Sequence, residues 1–216
     1  MRGLSVLKHP LKALYLAAYL GLFLSNAVQA QPAPAPGREL LNSERIAQKF
    51  GSYGIAVLRS DARLRVANLF SAAQAAGGGG EQRTCRTFAV TRYPDHVPPA
   101  FTAEHREIVA GGSIGAVFAS HGWRVTKTHM YYGEIAATMS VAELMRVQPG
   151  TRLALDAYVL GVEKTGAAFE YVSIVEIHHP AYLGLTDLET IYGPADARGR
   201  EALLASLLRD AESAAR

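Results

Sequence analysis

Apolar and polar residues alternate with a two-residue period over much of the chain, and stretches of helical spacing separate these runs. Tyr53–Leu58 and Leu64–Phe70 read as two strands joined across Ser60-Asp61-Ala62. Thr84–Tyr93 reads as a third strand, stopped by Pro94, Pro98 and Pro99, and Trp123–Ile135 as a long fourth. Arg152–Lys164 and Ala167–His179 flank Thr165-Gly166, a dipeptide suited to the tight turn of a hairpin. If Lys164 faces Ala167 and pairing continues without interruption, Asp156 shares a face with Tyr158, Ser173 and Val175. Glu170, Glu176 and His178 then share the other face with Leu155. Both faces are largely apolar, which predicts a central hairpin with helix over one side, and Asp156, Glu170 and Glu176 are its conspicuous acids.

Helical spacing fills the gaps. Asn42-Ser43-Glu44 opens a short helix to about Lys49, with Ile46 and Phe50 on one face. Thr102 is placed to cap a helix to about Ala110, Gly111-Gly112 to break it, and Ser113 to cap a second one ending at His121-Gly122. Ser140–Met145 is a further short helix. From about 196 to 215 an amphipathic helix carries Leu203, Leu204, Leu207 and Leu208 on one side, more suited to packing than to docking. Ala72–Gln82, containing Gly77–Gly80, reads as a surface loop. Strand, turn, strand and proline occur twice, from Arg63 to Pro94 and from Arg152 to Pro180, which suggests a duplicated sheet unit. The fold class is α+β: an antiparallel sheet of about six strands packed against helices.

The N-terminus changes the setting of this domain. Arg2, Lys8 and Lys12 precede an apolar run from Ala13 to Leu24, with small residues at Val28 and Ala30. This is the pattern of a cleavable signal over residues 1–30. The run is well short of the roughly 20 residues a spanning helix needs, so no stable membrane insertion is expected after cleavage; an uncleaved anchor is the alternative. The expected location is periplasmic or secreted. Pro32, Pro34 and Pro36 alternate with alanine in a stiff linker over 31–38, and a single domain follows over 39–216. The whole chain has 22 Lys+Arg against 19 Asp+Glu; without Arg2, Lys8 and Lys12 the two balance. That removes the electrostatic case for a nucleic-acid partner. Cys85 is the only cysteine, so no intrachain disulfide forms, and it is expected in the core.

Several motifs carry a family resemblance. They are Ser113-Ile114-Gly115, Gly122, the strand Arg124–Ile135, Val141–Met145, the turn Gln148-Pro149-Gly150-Thr151-Arg152-Leu153, and Phe169-Glu170-Tyr171-Val172-Ser173. In this order the chain resembles the UTRA effector-binding domains of the chorismate lyase-like fold, over about residues 52–182 and most clearly in the second half. The resemblance implies a ligand between sheet and helices, commonly a sugar phosphate, an amino acid or a similar small anion. It implies Ser113 and its neighbouring amides at the anion, with Arg63 or Arg65 adding charge and Glu170 accepting hydrogen bonds. Independently, amides exposed at a helix start are suited to anions, and guanidinium groups to bidentate recognition. UTRA domains normally follow a DNA-binding winged helix, and none is encoded in this sequence.

The ligand-binding candidates are therefore Ser113, Glu170, Arg63, Arg65 and His129, the last on the strand face of Lys127 and Tyr131. No catalytic residue, cofactor or metal is assigned. Gly111–Gly115 matches the spacing of a nucleophile elbow, but a helix rather than the required strand precedes it. Neighbouring His178 and His179 point to opposite sides of a strand, and no His or Cys pair has ligand spacing. The leading expectation is an exported protein that binds a small anionic metabolite. The alternatives are a lyase or hydrolase of the same fold, using Glu170 with an Arg or His, and a partner-binding protein with a degenerate pocket. A homodimer is left open.

Overall fold

The computed structural model describes residues 40–74 and 80–216; the expected signal, the linker over 31–38 and residues 75–79 of the glycine loop lie outside them. Six strands form one antiparallel sheet: β1 Gly54–Ser60, β2 Leu64–Gln74, β3 Glu81–Arg92, β4 Arg124–Ala136, β5 Arg152–Lys164 and β6 Ala167–His178. Their order is β1-β2-β3-β6-β5-β4. Each half is thus a three-stranded meander, and the halves join through β3 and β6. The two hairpins read as a repeat, β2–β3 and β5–β6, are the inner strands of these meanders.

Among the described residues six α-helices cover both sides: α1 Asn42–Phe50, α2 Thr102–Val109, α3 Ile114–Ser120, α4 Met139–Met145, α5 Leu185–Tyr192 and α6 Glu201–Ala215. On one face Leu155, Val159, Val175 and Ile177 pack beneath α4 and α6, with Leu207 fully buried and Leu203, Leu204 and Leu208 half-buried. The other face meets α1, α2, α3 and α5 through Ile46, Ile108, Phe118 and Leu188. The β5–β6 hairpin is therefore covered on two sides, not one, and this is why Leu153–Leu160 is buried continuously. Cys85 is buried. Among the described residues no helix is long and apolar enough to cross a membrane.

Local chemistry explains where elements depart from the sequence pattern. Thr102 is the first residue of α2 rather than its cap, because a 3-10 turn over Pro99–Phe101 leads in and Thr102 Oγ1 donates to Pro99 O. The final helix starts at Glu201 rather than near Asp196. Asp196 N–H donates to His129 O, and the Asp196 carboxylate accepts from Arg198, which holds that stretch outside the helix. No sequence expectation covered α5; the Asp187 carboxylate accepts from Gly184 N–H and so satisfies an amide at its start.

The important departure is one of register. At the turn, Thr165 and Gly166 both have positive φ, and Lys164 faces Ala167 as expected. A bulge then intervenes: Gly161 pairs with Glu170, but Leu160 pairs with Val172. The extra residue reverses which face each following β6 side chain occupies. Asp156 consequently lies directly opposite Glu176, on the same face, rather than on opposite faces as uninterrupted pairing predicts.

Candidate functional site

The face beneath α1, α2, α3 and α5 carries an unusual load of polar groups. Arg65, Thr87, Thr91, His129, Asp156, Glu176 and His178 are all buried there. Buried polar groups need partners, and α1 supplies several. Asn42 Nδ2 donates to Glu176 Oε1 at 2.9 Å and to Thr87 Oγ1 at 3.2 Å, while Asn42 Oδ1 accepts from Tyr182. Thr87 Oγ1 lies 3.1 Å from His178 Nδ1. On the outer strand, His129 Nδ1 lies 2.9 Å from Asp156 Oδ1, and its ring stacks on Tyr192 at 4.4 Å.

Between this surface and the starts of α1 and α3 is a cavity. Its empty volume is about 540 Å³ including the open mouth, of which about 60 Å³ can hold the centre of a water molecule. The water-accessible part holds only a few water molecules, so any larger guest extends into the open mouth. Ala67, Leu69, Ala89, Leu160 and Ile174 make most of the floor, Leu41 and Ile114 the roof. Arg65, Lys127, Tyr158, Glu176 and Ser113 supply the polar groups.

Arg65 has a structural task as well. Its guanidinium donates to Gly112 O at 2.8 Å, Ile108 O at 3.2 Å and Gly111 O at 3.4 Å. The glycine break between α2 and α3 thus turns carbonyls onto an arginine. Glu176 has its carboxyl pushed above the ordinary range, chiefly by burial and then by Asp156, while Lys127, Asn42 and Tyr158 oppose the shift. Burial likewise raises Tyr158 well above its usual value. Lys127 lies over the rings of Tyr158 and Tyr192, 4.9 and 5.0 Å from their centroids.

The five residues singled out from the sequence separate into two groups. Ser113 and Arg65 line the cavity; Ser113 stands at the N-cap of α3 as expected, but its hydroxyl makes no capping bond and accepts from Tyr53 at 3.3 Å. His129 stands beside it on Asp156. Glu170 and Arg63 lie elsewhere, along a shallow groove beside α6, where exposed Glu170 pairs with Arg200. Lys127, Glu176 and Asn42 line the cavity without having been chosen. For Glu176 the signal was present: an acid within a run otherwise fit for burial on both faces.

No protein-family profile matches the sequence, and no curated protein matches it. Solved structures do. The C-terminal domain of Yurk from Bacillus subtilis subsp. subtilis str. 168 is 15% identical, with 68% of this chain and 92% of that one covered and a TM-score of 0.33. A GntR-family transcriptional regulator from Enterococcus faecalis V583 is 12% identical, with coverage of 62% and 93% and a TM-score of 0.32. A GntR-family regulator from Bacillus cereus is 15% identical, with coverage of 62% and 90% and a TM-score of 0.32. The described elements follow the α+β order read from the sequence, six antiparallel strands in one sheet with helices packed against it.

Proposed function

We propose that the protein is an exported binding protein that holds a small anionic metabolite in the cavity between the sheet and the starts of α1 and α3. The observation that carries this reading is the charge of the lining. Arg65 and Lys127 face a largely apolar space, and burial drives the one lining acid, Glu176, toward its neutral form. An anion entering there meets positive charge at low dielectric, with Ser113 and Tyr158 hydroxyls as hydrogen-bonding groups. The leader pattern of residues 1–30 supports export.

A lyase or hydrolase is the second reading, favoured by the same raised carboxyl: a buried acid of perturbed pKa in a cleft is the usual form of a general acid or base. One experiment addresses both. Native mass spectrometry of the protein isolated from its own compartment should show a small molecule bound one to one. Lys127→Met should reduce its occupancy at least tenfold, and Glu170→Ala should leave it unchanged. An empty protein whose melting temperature no phosphate ester, mono- or dicarboxylate raises would refute the binding reading. Chemical conversion of the bound molecule on incubation would favour the enzyme.

A further inference from the structure

Asp156 and Glu176 are buried carboxyl groups facing each other across the β5–β6 ladder, an arrangement that like-charge repulsion opposes whenever both are ionised. His178 is one pair further along the same face, opposite Ala154. One ligand atom from each of Asp156, Glu176 and His178 lies within 4.8 Å of the others. Two atoms of these residues are buried without a hydrogen-bond partner among the described residues, Asp156 Oδ2 and His178 Nε2. Both side chains are almost fully enclosed, at 0% and 1% exposure. Unsatisfied groups in such a place cost about 1–3 kcal/mol each, more when charged, so their persistence side by side calls for something to satisfy them.

We propose that Asp156, Glu176 and His178 form a divalent transition-metal site, with Zn²⁺ the fitting ion, at the inner end of the cavity. The donor set, one imidazole and two carboxylates, suits zinc, and three protein ligands leave a fourth position open. Their surroundings resemble the supports of known metal ligands. Thr87 occupies Nδ1 of His178, which leaves Nε2 as its free nitrogen, and His129 holds Asp156 Oδ1, which leaves Oδ2. Glu176 reaches both the cavity and the cluster, so the cavity provides the access route. Ligands about 2.1 Å from a tetrahedral centre are roughly 3.4 Å apart, so the cluster tightens onto the ion. Lys127 is the native competitor: its charge acts on Glu176 and His178 alike. The site is independent of the identity of any metabolite.

The full protein, stripped with a chelator, is titrated with Zn²⁺ by calorimetry, and bound zinc is counted by elemental analysis. One zinc per chain with micromolar or tighter affinity is expected. Asp156→Asn and Glu176→Gln should each weaken binding at least tenfold, and Lys127→Met should strengthen it. Glu170→Gln, outside the cluster, should bind as the parent does. Should either ligand variant fail to fold, Co²⁺ substitution of the parent gives a separate reading: visible absorption typical of a four-coordinate site with nitrogen and oxygen ligands. No saturable uptake overturns the proposal. So does uptake unaffected by Asp156→Asn and Glu176→Gln, or uptake that appears only once Lys127 is removed.

Discussion

Arg65→Met tests whether the cavity wall depends on a buried guanidinium. Arg65 is 2% exposed, and three of its N–H groups end on carbonyls: Ile108 in the last turn of α2, and Gly111 and Gly112 in the link to α3. Methionine keeps the apolar stem against the sheet and removes only the charged head. The bonds at 2.8 and 3.2 Å are well formed, and each hydrogen bond to a charged group contributes about 1.5–3 kcal/mol. Their loss costs about 3–6 kcal/mol, and relief from burying the guanidinium returns part of it. A net destabilisation of about 3 kcal/mol is expected, or roughly 6–12 °C in Tm for a chain of this size. Urea unfolding followed by Trp123 fluorescence reads this directly. Trp123 is the only tryptophan, and its indole N–H donates to Glu104 of α2, close to the affected segment. Arg63→Met, at an exposed position, is the matched control and should stay within about 0.5 kcal/mol of the parent. If the two variants differ by less than about 1 kcal/mol, Arg65 does not hold the α2–α3 segment.

Two further outcomes follow from burial. Leu207→Ala should cost about 2–4 kcal/mol in the same assay, because Leu207 is fully enclosed between α6 and the sheet; a loss below 1 kcal/mol would mean that α6 is not part of the core. Burial pushes Cys85 and Tyr53 up to about 12, from ordinary values of 9.0 and 10.0, and raises Tyr171 and Tyr182 too. The native state keeps these protons after the unfolded chain has lost them, so the associated stability is present below pH 9 and falls as pH rises toward 12. Each group adds a slope of about 1.4 kcal/mol per pH unit within its window. Native Cys85 should resist iodoacetamide at pH 8.5 and react once urea unfolds the chain; rapid native alkylation would contradict its burial.

The fold was more legible in the sequence than the site. Period-two alternation located all six strands, and the turn at Thr165-Gly166 fixed the pairing at the hairpin end, because both signals are local. The bulge between Gly161 and Leu160 left no comparable mark, since an extra residue in an apolar run alternates nowhere visibly. That one residue decides which acids meet: it brings Glu176 opposite Asp156, which uninterrupted pairing places on the other face. Ser113 and Arg65, implied by the family resemblance, do line the cavity, whereas Arg63 and Glu170, implied in the same way, lie outside it. Lys127 and Asn42 were passed over because each has an ordinary local role, on a strand and at a helix start. Only the crossing of distant segments brings them to the cavity.

The junction between the meanders has a mechanical consequence. β3 and β6 share six paired positions, whereas β2–β3 and β5–β6 each share eleven. The ladder that unites the two halves is therefore the shortest of the three. Asn42 bridges it from above, grasping Thr87 on one side and Glu176 on the other. The cavity spans it as well, with Arg65 and Thr91 on one bank and Tyr158 and Glu176 on the opposite one. A ligand filling that space would act as a rivet across the seam. Pulled apart along this line, the loaded protein would yield at a higher force than the empty one, even though neither half had itself been made any stronger.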